Sequence, residues 1–567
     1  MIRHIRWQVV LVALGLVLSA LLLSRQAVGL EEVYVPSSGG TLIEGVVGWP
    51  QYLNPLLSWS NPVDRDICAL IFEGLTRYDE SGRLVPQLAT GWHVSLDGLV
   101  YTFWLRQDVR WQDGTRFSAD DVIFTLSLIQ APGFRGSSSL ADLWRSVLVE
   151  KVDDYTVTFT LAEAFAPFVD YTTVGILPAH LLADVEWADL MRHSFNRAPV
   201  GTGRFRVQGS GWQNNRLLLV ANSLYRGQRP QLAGIQFHFF TDHESLLDAF
   251  TRGEVHTVSS IQMTDMARAQ RLADMNIFTS NIPRYTMVML NLRDPTAPFL
   301  QDVSIRQALL HGIDRPRVIA EVIYGQGTVA NSPLYPGSWA HLADVAEYPY
   351  DFGRAARLLD GQGWPLPERD NQGTMLPESE LLPQGVRSRD GRELSFRLTA
   401  VRSTLHEALA RTLVQAWDQL GIRVTVELIE PGELLPTLRN GGFQAILVDV
   451  DMTGDPDLYS FWSESAAEEG QNYGNWMDRR ASQLLEEARQ LSNVGQRTIR
   501  YYRFQQIFAE QVPALLLYHH TYSYGVSDQV QQVTMGPLTH AADRFATVGD
   551  WFLVWREVII RSTKPEF

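Results

Sequence analysis

The sequence predicts an α/β protein of about three structural domains, at roughly 100–200 residues per domain. Three observations carry this. Strand-like and helix-like segments alternate from a Ser-Ser-Gly-Gly linker at residues 37–40 to the end of the chain. The 567 residues are 45% hydrophobic and 20% charged, an ordinary globular balance that leaves a large core available. After the N-terminal region no second long apolar stretch occurs, so the body is expected to be soluble.

The chain opens with Arg3, His4 and Arg6, then a low-polarity run from Val9 to Leu23, then small residues at Ala27 and Gly29. A basic start, an apolar stretch of about 15 residues and small residues after it mark 1–29 as a secretory signal peptide or an uncleaved N-terminal anchor. No cysteine stands directly after the run, which excludes a lipid-modified N-terminus of the bacterial lipoprotein type. Either reading puts the body outside the cytoplasm, in the periplasm or at the outer face of the cell membrane, because the positive flank stays inside.

Leu99 to Leu105 is rich in β-formers and lies between the turn dipeptides Asp97-Gly98 and Asp113-Gly114. Ser118 with Asp121 reads as a capping box that opens a helix to about Gln130. A further strand is expected within Lys151 to Leu161. Helical spacing returns in Met477 to Leu491, with Leu484, Leu485, Ala488 and Leu491 on one face, and in Gln496 to Val512. Pro513 then precedes an apolar strand, Ala514 to Tyr518. Gly363 to Arg392 is rich in Pro, Gly, Asp and Glu without any period and reads as a surface excursion. No repeat of 20–50 residues is visible, which argues against solenoids and propellers.

Charge and motif content exclude several functions. Lys and Arg number 48 against 63 Asp and Glu, a net charge of −15 with no basic cluster, so no nucleic acid partner is expected. The only lysines are Lys151 and Lys564, which leaves no plausible Schiff-base residue and no phosphate-loop Gly-Lys-Ser/Thr. Cys68 is the single cysteine, flanked by apolar residues, and is expected to be a buried small side chain. His519 and His520 are adjacent on an expected strand and point to opposite faces, so they do not easily share a metal. Metalloprotease, serine hydrolase and dinucleotide motifs are absent. No enzyme activity, no cofactor and no metal are therefore expected.

A series of short motifs stands in one order: Asn54-Pro55, Ile71-Phe-Glu-Gly-Leu-Thr-Arg-Tyr78, Leu84 to Ala89, Gly91-Trp92, Tyr101 to Arg106, Trp111-Gln-Asp-Gly114 and Ser118 to Val122. It continues through Gly201-Thr-Gly203, Pro298-Phe299, Ile313-Asp-Arg315, Gly421-Ile422, Gly454-Asp-Pro-Asp457 and Asn472-Tyr473. Together these resemble the family 5 extracellular solute-binding proteins of ABC importers, the peptide- and nickel-binding class. The resemblance implies a two-lobed periplasmic-binding-protein type II fold with an additional inserted domain in the first lobe. It places lobe 1 at 40–79, 198–283 and 518–567, the inserted domain at 80–197, and lobe 2 at 284–517. Arg284 to Leu292 and Leu515 to Tyr524 are extended apolar segments suited to cross between lobes. The implied function is a monomeric receptor that binds a peptide or other small solute and delivers it to ABC permease membrane subunits. The competing reading is an oligosaccharide-binding protein on the same scaffold or, further off, a carbohydrate-active hydrolase with two carboxylates.

The expected ligand residues fall in two regions. Asp449, Asp451 and Asp455 supply carboxylates for an α-ammonium in one segment, which ends in Asp455-Pro456-Asp457. A turn with an N-cap and one solvated strand face is the alternative for the same residues. Members that bind dipeptides resemble one another in an anchoring Asp three residues ahead of the Asp-Pro pair; here Met452 stands there. Trp49, Tyr52 and Asn54 lie near the start of the first lobe, and Trp462, Tyr473 and Trp476 lie near the carboxylate segment. Such rings stack on sugars or line side-chain pockets, and core packing is the alternative for each.

Overall fold

The computed structural model describes residues 14–15, 17–19, 30–366, 385–452 and 454–561. Most of the expected N-terminal signal or anchor lies outside them, and no helix of the described residues is long and apolar enough to cross a membrane. Two long strands organise the molecule, Met275–Leu290 and Ala514–Ser527, paired antiparallel at the centre of an 11-stranded sheet. The expected strand at Ala514 to Tyr518 is thus the first third of a longer one. One flank of the sheet runs outward through Thr257–Val258, Thr41–Val47, Gly234–Phe240, Arg216–Ala221 and Phe205–Val207. The other runs through Ala445–Asp451, Ser395–Val401 and Arg423–Ile429.

The two flanks attach at opposite ends of the central pair. Thr257–Val258 pairs with Gly525 and Val526, whereas Ala445–Asp451 pairs with Arg284 to Leu290. Between the ends the register shifts, from Asn281↔Thr521 to Tyr285↔His519. Pro283 sits inside the shift and has no N–H to give the ladder, so the sheet changes partners where its own hydrogen bonding lapses.

Both flanks contain parallel pairs, Thr41–Val47 with Gly234–Phe240 and Ser395–Val401 with its two neighbours, as crossover connections require. Helix Thr404–Gln419 makes one crossover, with the Ser403 side chain capping its N-terminus. Ala445, Ile446, Leu447 and Val448 are all buried, the unbroken apolar run of a strand covered on both faces.

Residues 89–160 contribute a separate four-stranded antiparallel sheet, ordered Ala89–Val94, Val100–Leu105, Thr156–Thr160 and Leu148–Asp153. The predicted capping box is present at helix Ala119–Gln130, and Oδ2 of Asp121 also accepts from Trp111 Nε1 at 3.2 Å. Phe103, Phe159, Phe168 and Trp144 form its aromatic core.

The expected surface excursion at 363–392 needs correction at its ends. Trp364 and Arg387 are buried, and Arg387 donates to the carbonyls of Leu420 and Trp364 at 2.6 Å each. A polar-rich composition conceals two anchors that hold the segment to the core. Residues 367–384 lie outside the described residues.

Candidate functional site

Strand register builds the first half of the site. Side chains two apart share a strand face, so Arg284 and Thr286 lie together opposite Asp451 and Asp449 on the neighbouring strand. Asp449 accepts from Arg284 Nη2 at 2.8 Å and from the Thr286 hydroxyl. Nε2 of His520 lies 3.5 Å and Nε2 of His406 3.7 Å from its two oxygens. Burial raises the Asp449 pKa, but His520, Thr286 and Arg284 together hold it well below the usual carboxylate range. Arg284 is 40% exposed and Asp451 67% exposed, so the cluster has a buried end and an open one. Nε of Arg284 has no hydrogen-bond partner and stands 3.6 Å from Asp451.

Just beyond the strand, Gly454 and Asp455 meet the piece of chain that carries Asp170. Met452 donates its amide to the Pro283 carbonyl at 2.6 Å, which ties the exit to the register shift. Gly454, at φ +85°, packs against the Asp170 carboxylate, and the Asp455 amide donates to the same group. The Tyr78 hydroxyl hydrogen-bonds Asp170 from its far side. Burial, with the charges of Asp455 and Asp543, pushes Asp170 up to about 7 against the lowering effect of these hydrogen bonds. Asp455 itself is gripped by both terminal nitrogens of Arg497, and Asp457 by Arg489 at 2.8 Å. Arg489 is sandwiched between Phe165 and Tyr459, 5.0 and 4.5 Å from the ring centres.

Tyr78 is also a wall of a cavity of about 350 Å3. Its other walls come from distant pieces of sequence, including Phe72, Gly175, Arg204, Tyr225 and Phe545. Asp449 and Asp451 thus stand in the charged cluster at the central strands, while Gly454 and Asp455 meet Asp170, which Tyr78 links to the edge of this cavity.

The predicted site residues separate into two groups. Asp449 and Asp451 come together in the cluster, and Asp455 lies beside Asp170 but is occupied by Arg497. Tyr52 is half-buried, with its backbone held by the Asp64 carboxylate. Trp49 is 38% exposed and donates its indole N–H to Asn215. Three residues expected at the ligand are core residues instead. Asn54 is fully buried and bonds Asn196, while Trp462 and Trp476 pack edge-on against Phe508. Tyr473 lies half-buried against that aromatic core. Proximity in sequence to the Asp segment had no bearing on which way these rings face.

Sequence reading missed Arg284, Thr286, His406, His520 and Asp170. Polar residues at alternate positions of an apolar strand were the available signal for the first two. His519 and His520 do face opposite sides: His519 packs edge-on to Tyr285, His520 meets Thr286. Among the described residues no group of three His, Cys, Asp or Glu is placed to hold a metal ion. Cys68 borders the cavity, but it is buried and its thiol is raised far above the ordinary range by that burial.

Residues 83–472 match the model of the bacterial extracellular solute-binding proteins, family 5. The chain belongs to that family. It is 28% identical over 494 residues to the oligopeptide-binding protein AppA of Bacillus subtilis, covering 85% of this chain and 87% of AppA. It is 26% identical over 523 residues to the dipeptide-binding protein of Escherichia coli, covering 88% of this chain and 92% of that protein. A solved structure of the Bacillus subtilis AppA in complex with a nonapeptide superposes with a TM-score of 0.63 at 26% identity, over 92% of this chain and all of AppA. The fold is thus the two-lobed type II fold of the family, and family 5 comprises binding proteins rather than enzymes.

Proposed function

We propose that this chain is the extracytoplasmic receptor of an ABC importer, which captures a peptide-like ligand between two closing lobes and hands it to membrane permease subunits. Lobe 1 comprises 40–79, 198–283 and 518–567, with 80–197 inserted, and lobe 2 comprises 284–517. Residues 1–29 export or anchor the chain. It acts as a monomer, binds no nucleic acid and returns its ligand chemically intact.

One observation supports the reading: Asp451 and Arg284 stand partly open at the central strands, and Gly454, just beyond them, rests against Asp170. A ligand held there touches both lobes, and closure is stabilised by as much as the ligand prefers the closed form. Asp451 offers a carboxylate to an α-ammonium, and the exposed part of the Arg284 guanidinium can meet a ligand carbonyl or carboxylate. The relatives' peptide ligands agree with this chemistry. The oligosaccharide alternative keeps only the rings near the start of the first lobe, such as Trp49, because Trp462 and Trp476 are in the core.

Small-angle scattering with and without a mixed dipeptide and tripeptide pool tests the reading. A smaller radius of gyration with peptide, and none with an oligosaccharide pool, is expected. An unchanged radius at saturating peptide contradicts closure.

A further inference from the structure

We propose that the cavity beside Tyr78 selects peptides carrying an acidic group, which Arg65, Arg77 and Arg204 bind; this rests on the peptide-receptor reading. All three arginines line the cavity, and among the described residues none of them pairs with a carboxylate. Arg65 makes a single 3.3 Å bond to the Trp59 carbonyl, and Arg77 a 3.1 Å bond to that of Tyr78. Arg204 lies 5.2 Å above the Tyr225 ring, in space that a side chain at Gly549 would take. Most of each guanidinium's five donors are therefore left for a ligand.

The carboxylates on the same walls, Glu73 and Asp543, are fewer than these three cations. Glu73 is held by Arg226 through bonds of 2.6 and 2.9 Å. Asp543 accepts the amides of Thr539 and His540 from its own turn, at 2.9 and 2.7 Å. The cavity thus keeps a surplus of positive charge inside a protein whose net charge is −15. Guanidinium forks meet a carboxylate two bonds at a time. The volume, about 350 Å3, suits a small ligand rather than a single ion. Phe72, Phe545 and Tyr225 supply apolar wall for the methylene stem of the acidic side chain, while the peptide's main chain stays at Asp451 between the lobes.

Calorimetric titration with the tripeptides Ala-Glu-Ala, Ala-Gln-Ala and Ala-Lys-Ala, and with glutarate and inorganic phosphate, tests this. The glutamate peptide is expected to bind at least tenfold more tightly than its glutamine isostere, with the lysine peptide weakest. Arg204→Gln is expected to bring the glutamate peptide to the glutamine level and to leave the glutamine peptide within about twofold. The double variant Arg65→Gln/Arg77→Gln, at exposed positions, gives the same reading should Arg204→Gln not fold. Equal affinity for the glutamate and glutamine peptides overturns the acidic preference and leaves the peptide receptor standing, as does a preference that survives the arginine substitutions. Binding of glutarate or phosphate with no peptide binding overturns both.

Discussion

The Asp170 carboxylate rests against the Gly454 backbone so closely that a Cβ on Gly454 would collide with its Oδ2. The contact joins the segment that leaves the central sheet to the piece of chain that carries Phe165 and Tyr171, and a Cβ there would push the Asp170 carboxylate aside. Gly454→Ala is therefore expected to hold the molecule open. The positive φ adds about 1–2 kcal/mol of backbone cost for any residue with a Cβ. Peptide affinity should fall tenfold or more while the unliganded protein stays folded, and scattering should show a larger radius. Unaltered affinity in a folded Gly454→Ala protein would show that this contact has no part in closure.

The same contact gives a pH dependence. Asp170 stands near 7, above the ordinary carboxylate range, with Tyr78, Asp455 and Asp543 as its ionisable neighbours. The closed contact is fully present where Asp170 keeps its proton in both forms, below about pH 4, and weakens as pH rises through about 7. Affinity for a neutral peptide should decline several-fold between pH 5.5 and 8. Asp170→Asn keeps an acceptor for the Asp455 amide and removes the charge, so its affinity profile should be flat over that interval.

Asp449 and Asp451 stand two residues apart on one strand face but differ in burial, and their substitutions should separate. Asp449→Asn leaves Arg284, His406 and His520 around an uncharged group and should cost about 2–4 kcal/mol of stability, read by denaturant unfolding. Asp451→Asn, at an exposed position, should leave unfolding unchanged and weaken peptide binding by about 1–2 kcal/mol. Because Asp449 is held below the usual range, its contribution is present at neutral pH and is lost as pH falls.

Arg387 anchors the irregular 363–392 segment from a buried position, with bonds to two carbonyls and an ion pair to Asp360. Arg387→Ala should destabilise the protein by about 2–4 kcal/mol, since it strips partners from buried carbonyls. Peptide affinity of the folded fraction should be unchanged.

Much of the fold was legible because its signals are local. Ser118 and Asp121 announce a helix start that the backbone honours, and the apolar runs at 284–292 and 515–524 fall on the two long central strands. Ordered short motifs carried the family. The site was legible only in part, because it is assembled from register and from closure. Asp449 drew attention as a carboxylate, but Arg284, Thr286 and His520 reach it only through strand pairing. Asp170 lies some 280 residues from Gly454 and meets it only in three dimensions. Trp462 and Trp476 misled because an aromatic side chain contributes as much to a core as to a pocket, and the sequence around them is the same in either case.

Native mass spectrometry of the protein mixed with a peptide library tests the central claim most directly. One-to-one complexes are expected whose released guests have unaltered peptide masses, with Glu- and Asp-containing members enriched. Guests released in cleaved form, or complexes formed with sugars and not with peptides, would contradict it.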